Sequence, residues 1–339
     1  MHATTIAVDL AKSVFQVSLA NQANRVIDRK RLTRSQFERF ISQYPATTIV
    51  MEACATANYW SQFAQTYGHT TRLLHAFYVR PYVRRNKTDS ADADALLRAN
   101  RDPELLPIPT KQPAQQALQS LHRCRQQLIE TRTARINFVR GILAEFGISL
   151  PRGVSGIGNK LSARIEELPT MVTPTLIEFI TEISELKTRI LRIDKQLESI
   201  AKQSDVAMHL LTIPGIGMTT ATAMIGCVPD IHLFKAARQF SAWLGITPRE
   251  HSSGSKRKLG AISKQGNNYL RTLLIHGARS AMLQAHRLAA KDPELLSELQ
   301  LWVLALETRR PRNVATVALA NKMARIIWVT WTQERDYQK

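Results

Sequence analysis

One stretch of the chain carries an apolar seam whose spacing is compatible only with an α-helix. Between positions 176 and 200 each seam residue follows the last at a spacing of three or four, and charged residues fill many of the other positions. A stripe this narrow favours an antiparallel helical hairpin or an intermolecular coiled coil, and therefore a dimer. The alternative is a helix packed inside its own domain. The seam consists of Leu176, Phe179, Ile183, Leu186, Ile190, Ile193, Leu197 and Ile200.

The net charge limits the partners that the chain can serve. Its 339 residues include 46 Lys and Arg against 27 Asp and Glu, which gives a formal charge of +19 at pH 7. Nucleic acid explains such a surplus, whereas an enzyme of small neutral metabolites does not need it. The apolar fraction of 44% is enough for packed cores, which excludes a disordered chain. The 3 cysteines lie far apart without metal-ligand spacing, which indicates a reducing compartment rather than a disulfide or zinc scaffold.

The sequence favours a cytoplasmic protein without a membrane segment. Its first residues are typical of a strand and not of a signal peptide. The longest uncharged stretch, residues 206–229, is interrupted by Pro214 and by glycines and threonines. A transmembrane helix needs about 20 predominantly aliphatic residues, so this stretch is too polar to be one.

Three regions follow one another along the chain. Residues 1–110 are predicted to be α/β, with β-branched strands at 5–9, 14–19 and 25–32 forming an antiparallel meander and further strands at 47–51 and 70–74. Residues 111–205 are predicted to form a helical coiled-coil spacer that carries the dimer contact. Residues 206–339 are predicted to form a small, mainly helical domain.

Four carboxylates in the first region stand where a site is expected. Asp9 and Glu52 each end a predicted strand, and Asp89 and Asp92 lie three apart at the start of a predicted helix, on one helical face. Four converging carboxylates would repel one another unless a hard divalent cation such as Mg²⁺ compensates them. Two such ions about 4 Å apart stabilise the attacking and leaving oxygens in phosphodiester transfer. Taken singly, each of these acids is more typical of a helix cap or a strand end, but taken together on a chain of charge +19 they favour the metal site.

Two segments of the last region are candidates for contact with phosphate. The sequence Ile213-Pro214-Gly215-Ile216-Gly217 is typical of a helix-hairpin-helix, or else of a simple turn between helices. The loop 248–267 combines glycines, basic residues and serines, so it is either a phosphate-binding loop with a nucleophile or a mobile basic loop. The predicted nucleic-acid contacts are Arg80, Arg84, Arg85, Lys87, Gly215, Gly217, Arg249, Lys256, Arg257, Lys258, Lys264 and Arg271.

The order of these motifs resembles one family. Ala7-Val8-Asp9-Leu10-Ala11-Lys12, Met51-Glu52-Ala53 and Lys87-Thr88-Asp89 with Asp92-Ala93 resemble the DEDD, RuvC-like domain of the bacterial insertion-sequence-110 transposases. Leu211 to Gly217, Pro248-Arg249, Ser253-Gly254, Ile262-Ser263-Lys264 and Gly266-Asn267 with Leu270-Arg271 are similar to that family's C-terminal transposase domain. The loop sequence around His251 favours the family's 1111 subgroup.

The resemblance implies an RNase H-like fold, a coiled-coil spacer and a small helical domain that bears a nucleophilic serine. It further implies a DNA recombinase that forms a 5′-phosphoserine link and acts as a dimer assembling into a tetramer. A structured bridge RNA would direct it to donor and target DNA, and the protein would be associated with the bacterial nucleoid. By this resemblance Asp9, Glu52, Asp89 and Asp92 are the Mg²⁺ ligands.

The nucleophile implied by the same resemblance is Ser253, because it directly precedes Gly254, although Ser252 beside it leaves that assignment open by one residue. The site would then be composite, with carboxylates from the front of the chain and a hydroxyl from its rear acting on one bond. Two other functions fit the residues. One is a junction-resolving nuclease in which metal-activated water attacks, and the other is a non-catalytic nucleic-acid-binding scaffold.

Overall fold

The chain forms two compact units in a computed structural model. The structure describes residues 3–83, 89–149, 164, 167–254 and 256–338, without the side chains of Asp89 and Ser90. The first unit is Met1–Gln112 and the second is Pro113–Lys339. The first boundary lies next to the one predicted at residue 110. The predicted helical segment 111–205 shares the second unit with the predicted C-terminal region 206–339.

The first unit is built on a five-stranded mixed sheet, as an RNase H-like fold requires. Its strand order is β3-β2-β1-β4-β5, with β1, β2 and β3 antiparallel and with β1, β4 and β5 parallel. The predicted meander is therefore present. The elements are β1 Thr5–Asp9, β2 Val14–Ala20, β3 Val26–Thr33, α1 Arg34–Gln43, β4 Thr48–Glu52, α2 Ala57–Thr66, β5 Thr70–Leu74, α3 Ala76–Val79 and α4 Asp89–Ala99.

The two faces of this sheet bury side chains of different size. One face packs large residues, including Phe15, Phe37 and Trp60, whose rings meet edge to face with each centroid separation at 5.1 Å. The other face presents small residues such as Ala7 and Ala20 and receives α4. Small side chains allow a helix backbone to approach a sheet closely, so the sequence of this face fixes where α4 lies.

The second unit is mainly helical, and a short two-stranded hairpin interrupts it. Within the described part of the chain, none of the helices combines the length and the apolar character needed to cross a bilayer. The elements are α5 Pro113–Glu145, α6 Thr173–Lys202, α7 Asp205–Leu211, α8 Met218–Cys227, α9 Ala237–Trp243, β6 Pro248–Glu250, β7 Leu259–Ile262, α10 Asn268–Lys291, α11 Glu298–Glu307 and α12 Arg312–Thr332.

The predicted apolar seam lies on α6, and every one of its residues is buried or half-buried. Part of the seam packs against α5 of the same chain, in a cluster that includes Ile136, Val139 and Ile183. Arg125 bonds to Asp194 at 2.5 Å and Arg135 bonds to Glu182 at 2.8 Å. The residue number rises along one helix as it falls along the other, so α5 and α6 are antiparallel. The coiled coil between chains stays a prediction.

A buried histidine joins three helices of the second unit. The Thr222 hydroxyl donates to the Met218 carbonyl at 2.7 Å and therefore accepts from Nε2 of His122 at 3.1 Å. Nδ1 of His122 in turn accepts from the Tyr269 hydroxyl at 3.0 Å. Burial, together with the nearby Arg125, lowers the pKa of His122 to about 4. His122 is therefore a neutral core residue that ties α5 to α8 and α10.

Candidate functional site

The first two predicted carboxylates lie at neighbouring strand ends. Strands β1 and β4 are parallel, with Val8 in register with Met51, and the next residues along them are Asp9 and Glu52. Both acids are half-buried. Because side chains alternate along a strand, Asp9 shares the face of Ala7, and Glu52 shares the face of Val50. The sheet register thus brings two carboxylates to one edge, on the face that receives α4.

The other two predicted carboxylates are on α4. Asp92 is half-buried, whereas the side chain of Asp89 lies outside the described residues. Asp94, which the sequence prediction leaves out of the site, accepts from the Ser18 hydroxyl and from Arg29, each at 2.8 Å. Asp94 therefore attaches α4 to β2 and β3, and both of its carboxylate oxygens accept hydrogen bonds in these contacts.

The four acids supply only oxygen donors, which suit a hard divalent cation such as Mg²⁺. Among the described residues, no three His, Cys, Asp or Glu side chains come close enough together to hold a metal. The described residues show only part of the predicted four-ligand site. Asp9 and Glu52 end adjacent parallel strands, and the helix that carries Asp92 packs on the same face of the sheet.

The predicted nucleophile is at the tip of the hairpin formed by β6 and β7. Ser253 and Lys256 exchange two backbone hydrogen bonds, at 3.3 and 3.2 Å, which closes a tight turn. Gly254 occupies the first central position of this turn with φ of +57°, a backbone conformation that favours glycine. Farther down the hairpin the His251 amide donates to the Lys258 carbonyl at 2.9 Å. The turn presents Ser253 to solvent.

The two neighbouring serines of the hairpin have different surroundings. The Ser252 hydroxyl donates to a carboxylate oxygen of Glu250 at 2.6 Å and accepts from the Lys258 amide at 3.2 Å. This bond, with the charge of Arg257 nearby, keeps the pKa of Glu250 below its usual range. Among the described residues, the Ser253 hydroxyl has no hydrogen-bond partner. Ser252 therefore has a structural role in the hairpin, whereas of these two serines Ser253 is the one without a hydrogen-bond partner for its hydroxyl among the described residues.

Sequence reasoning missed Glu250, which orders this hairpin. Its carboxylate accepts from Ser252 and pairs with Arg257 at 3.4 Å. The only signal in the sequence is the spacing of two residues between Glu250 and Ser252. That spacing places two side chains on one face of a strand.

Several of the predicted phosphate contacts are exposed on the second unit. Arg249 is tethered by one hydrogen bond, at 3.0 Å, from its guanidinium to the Ser263 carbonyl. Arg80 of the first unit is also exposed, while Arg84, Arg85 and Lys87 lie outside the described residues. The exposed cations around the hairpin are Arg249, Lys256, Arg257, Lys258 and Lys264.

Arg271, one of the predicted phosphate contacts, is buried and hydrogen-bonded within the second unit. Arg271 is only 7% exposed, and its guanidinium donates to the carbonyls of Leu244 and Gln265 and to the side chain of Asn268. The charge is used to join the loop before α10 to the end of α9. Because buried charges need such partners, Arg271 is not free to contact nucleic acid.

Gly215 has a packing role in the second unit. Its φ is +87°, and a Cβ at this position would lie 2.5 Å from the carbonyl oxygen of Gly277 in α10. A glycine is needed here because two backbones touch, and the contact of Gly215 with phosphate stays a prediction. Gly217 is exposed and precedes the first residue of α8. The helix-hairpin-helix stays a prediction.

Two family models match this chain. The DEDD-type IS110 model, described as a transposase, matches residues 6–148, and the model described as the IS116/IS110/IS902 transposase family matches residues 207–292. The first range contains the sheet edge at which Asp9 and Glu52 lie, here called the acidic edge, and the second contains the hairpin with Ser253.

Curated relatives match along nearly the whole chain. A probable family 20 transposase of Pseudomonas aeruginosa is 40% identical over 100% of this chain and 99% of that protein. The transposase for insertion sequence element IS1111A of Coxiella burnetii is 36% identical over 98% of this chain and 91% of that protein. The chain belongs to the IS110/IS116/IS902 family of transposases. The predicted family is thus confirmed, and the IS1111A relative agrees with the predicted 1111 subgroup.

The chain is also similar, at lower identity, to proteins named for gene inversion. A pilin gene-inverting protein of Moraxella bovis is 23% identical over 100% of this chain and 99% of that protein. The name of that protein describes inversion of a gene. The DEDD transposase domain itself suggests the use of divalent metal. That expectation agrees with the oxygen donors at the acidic edge.

Proposed function

We propose that this insertion-sequence transposase cuts and rejoins DNA through a phosphoserine intermediate formed on Ser253. The observation that carries the proposal is the contrast within the hairpin. Ser253 is exposed at a glycine turn and surrounded by cations, whereas Ser252 is held by Glu250. Cations around a hydroxyl favour the approach of a phosphodiester.

The reaction proceeds in two balanced steps. In the first, Oγ of Ser253 loses its proton and forms a bond to the scissile phosphorus as the bond from phosphorus to the 3′ oxygen breaks. The DNA 5′ end is then joined to the serine, and a free 3′ hydroxyl leaves with a proton. In the second, a 3′ hydroxyl of another strand attacks the same phosphorus, and the serine hydroxyl is regenerated. The phosphodiester count is unchanged, so no external energy source is needed.

The carboxylates would hold Mg²⁺, with Asp9, Glu52, Asp89 and Asp92 as ligands. If bound, the ion would supply positive charge that stabilises the negative charge developing at the scissile phosphate. Asp9 and Glu52 are suited to hold it because their positions are set by the register of two buried strands. Asp92 is suited because its helix is anchored by Asp94.

The partners that we propose are the element ends, the target DNA and a structured bridge RNA that pairs with both. Pairing by the RNA would read sequence, so the protein needs mainly backbone contacts. The surplus charge of +19 is what such contacts require. We further propose that dimers assemble into a tetramer on a junction-like intermediate, at the nucleoid in the cytoplasm. Four strands must be cut and exchanged there.

Trapping the covalent intermediate tests this function. A nicked suicide substrate from the element end, incubated with its RNA and Mg²⁺, should yield a protein–DNA adduct on a denaturing gel. Ser253→Ala should abolish the adduct and reduce recombination by about a thousand-fold or more. Its thermal unfolding should match that of the wild type, because Ser253 is exposed.

Ser252→Ala is the matched control. It removes hydrogen bonds on the exposed hairpin, so the adduct should still form, at a rate lowered by about ten-fold or less. Cleavage by Ser253→Ala at the wild-type rate without an adduct would contradict the proposal and favour attack by water. Loss of the adduct in Ser252→Ala alone would identify Ser252 as the nucleophile.

A further inference from the structure

Helix α3 is located beside the acidic edge. Strands β4 and β5 are parallel with Glu52 in register with Leu74, and the Ala53 amide donates to the Leu74 carbonyl at 2.8 Å. Immediately after Leu74, His75 caps α3 by accepting at Nδ1 from the Phe77 amide at 3.2 Å. The helix therefore begins at the same sheet edge that carries Glu52.

Two aromatic rings on α3 are directed to solvent. Phe77 is 67% exposed and Tyr78 is 52% exposed, whereas Val79 beside them is 3% exposed and packs in the core. The two ring centroids lie 5.3 Å apart with the planes at 85°. Val79 holds the helix to the sheet, so the rings are presented by a fixed backbone. Exposed aromatic side chains at a site edge indicate a binding surface.

The surroundings of these rings decide which partner fits. The exposed residues that flank the rings in the chain are Ala76 and Pro81, which are small or apolar, and His75 and Arg80, which are polar or charged. A protein interface needs a broader apolar surface than two rings, one alanine and one proline provide. A flat ring with a cation beside it is instead the arrangement that stacks a nucleobase and binds its phosphate. The chain's charge of +19 supports the same ligand.

We propose that Phe77 and Tyr78 form a stacking platform for unpaired bases of the DNA strand that reaches the acidic edge. This rests on the proposed function, because it takes DNA as the substrate, and it specifies the substrate class. Bases in a closed duplex do not offer their faces to a side chain, so the strand must be locally unpaired when it binds. The platform positions the strand and takes no part in bond making.

Binding measurements test the platform without requiring cleavage. The full-length protein is titrated with a short single-stranded DNA containing 2-aminopurine and, separately, with a closed duplex hairpin of the same sequence. Phe77→Ala and Tyr78→Ala should each weaken single-strand binding by about ten-fold. Binding to the closed duplex should change by less than about two-fold, because its base faces are covered. The fluorescence quenching of 2-aminopurine should also decrease.

Two controls make the result decisive. Tyr67 is 46% exposed and precedes β5, so it lies at the opposite end of that strand, and Tyr67→Ala should leave single-strand binding unchanged. Tyr78→Phe keeps the ring and should bind as the wild type does. Equal weakening of single-strand and duplex binding, or an equal effect of Tyr67→Ala, would overturn the platform. Such a failure would leave the serine adduct intact, so it is distinguishable from failure of the proposed function.

Discussion

The acidic edge and the serine hairpin are held in place in opposite ways. Asp9 and Glu52 are positioned by two buried parallel strands, so the core of the first unit fixes where they lie. Ser253 is on an exposed turn fixed by backbone hydrogen bonds and by Gly254. Packing therefore preorganises the carboxylates, whereas the position of the proposed nucleophile depends on local turn geometry. Substitutions should therefore affect the two regions differently.

Among substitutions in the first unit, the largest effect is expected at the acidic edge formed by Asp9 and Glu52. Asp9→Asn keeps the size of the side chain but removes one carboxylate from the ligand set, so strand cleavage should fall by about a hundred-fold or more. The free energy of unfolding in the absence of metal should change little, because Asp9 is half-buried at a strand end. Cleavage kinetics across a Mg²⁺ titration, with denaturant unfolding alongside, measure both.

The control for that experiment is Asp94→Asn. Asp94 accepts hydrogen bonds from Ser18 and Arg29 and lies outside the proposed ligand set. Its substitution should therefore lower the free energy of unfolding and have less effect on the Mg²⁺ dependence of cleavage. If Asp9→Asn retained wild-type cleavage and the same Mg²⁺ dependence, the acidic edge would not be a metal site.

A smaller effect is expected in the core of the second unit, where His122 should make stability depend on pH without affecting the hairpin. The pKa of His122 is about 4 in the folded protein, against the ordinary histidine value of 6.5 that applies when the chain is unfolded. Protons therefore bind the unfolded chain more tightly, and stability falls as pH decreases from about 6.5 to about 4. The shift corresponds to roughly 3 kcal/mol as an upper limit.

His122→Gln removes this titration and should flatten the loss of stability over that pH range. Urea unfolding at several pH values measures it. Adduct formation at pH 7 should persist, because His122 is 1% exposed and serves the core. An unchanged acid dependence would mean that His122 is not the group that titrates.

The smallest effect concerns the hairpin turn. Gly254 has φ of +57°, and a Cβ added there would have nothing within 4 Å, so Gly254→Ala adds backbone strain of about 1 kcal/mol and no clash. Adduct formation should slow by less than about ten-fold. Gly215→Ala would place a Cβ 2.5 Å from a backbone oxygen and should destabilise the whole unit, on the order of 3 kcal/mol. Thermal unfolding of both variants checks this contrast, and equal destabilisation would contradict it.

Much of the fold could be predicted because local patterns and tertiary packing agree. The strand ending at Asp9 and the strand ending at Glu52 are short β-branched runs, and burial on both faces leaves such runs little alternative. The seam of α6 is buried or half-buried as its period requires.

The sequence could not predict roles that arise only from tertiary contacts. Arg271 resembles a surface cation until its carbonyl partners are known. Gly215 resembles a phosphate-binding glycine until Gly277 is seen against it. The choice between Ser252 and Ser253 depends on the hairpin register that brings Glu250 to Ser252. The contacts of Arg271 with Leu244 and of Gly215 with Gly277 join residues that are distant in sequence, whereas the contact of Glu250 with Ser252 has a spacing of two residues as its signal.

We propose that the carboxylates and Ser253 act on the same scissile bond. The most direct measurement is the yield of DNA-linked Ser253 peptide, identified by mass spectrometry, from the wild type and from Glu52→Gln on the same suicide substrate. We predict the linked peptide in the wild type and its loss in Glu52→Gln, although Ser253 is intact. Equal yields from the two proteins would contradict the claim.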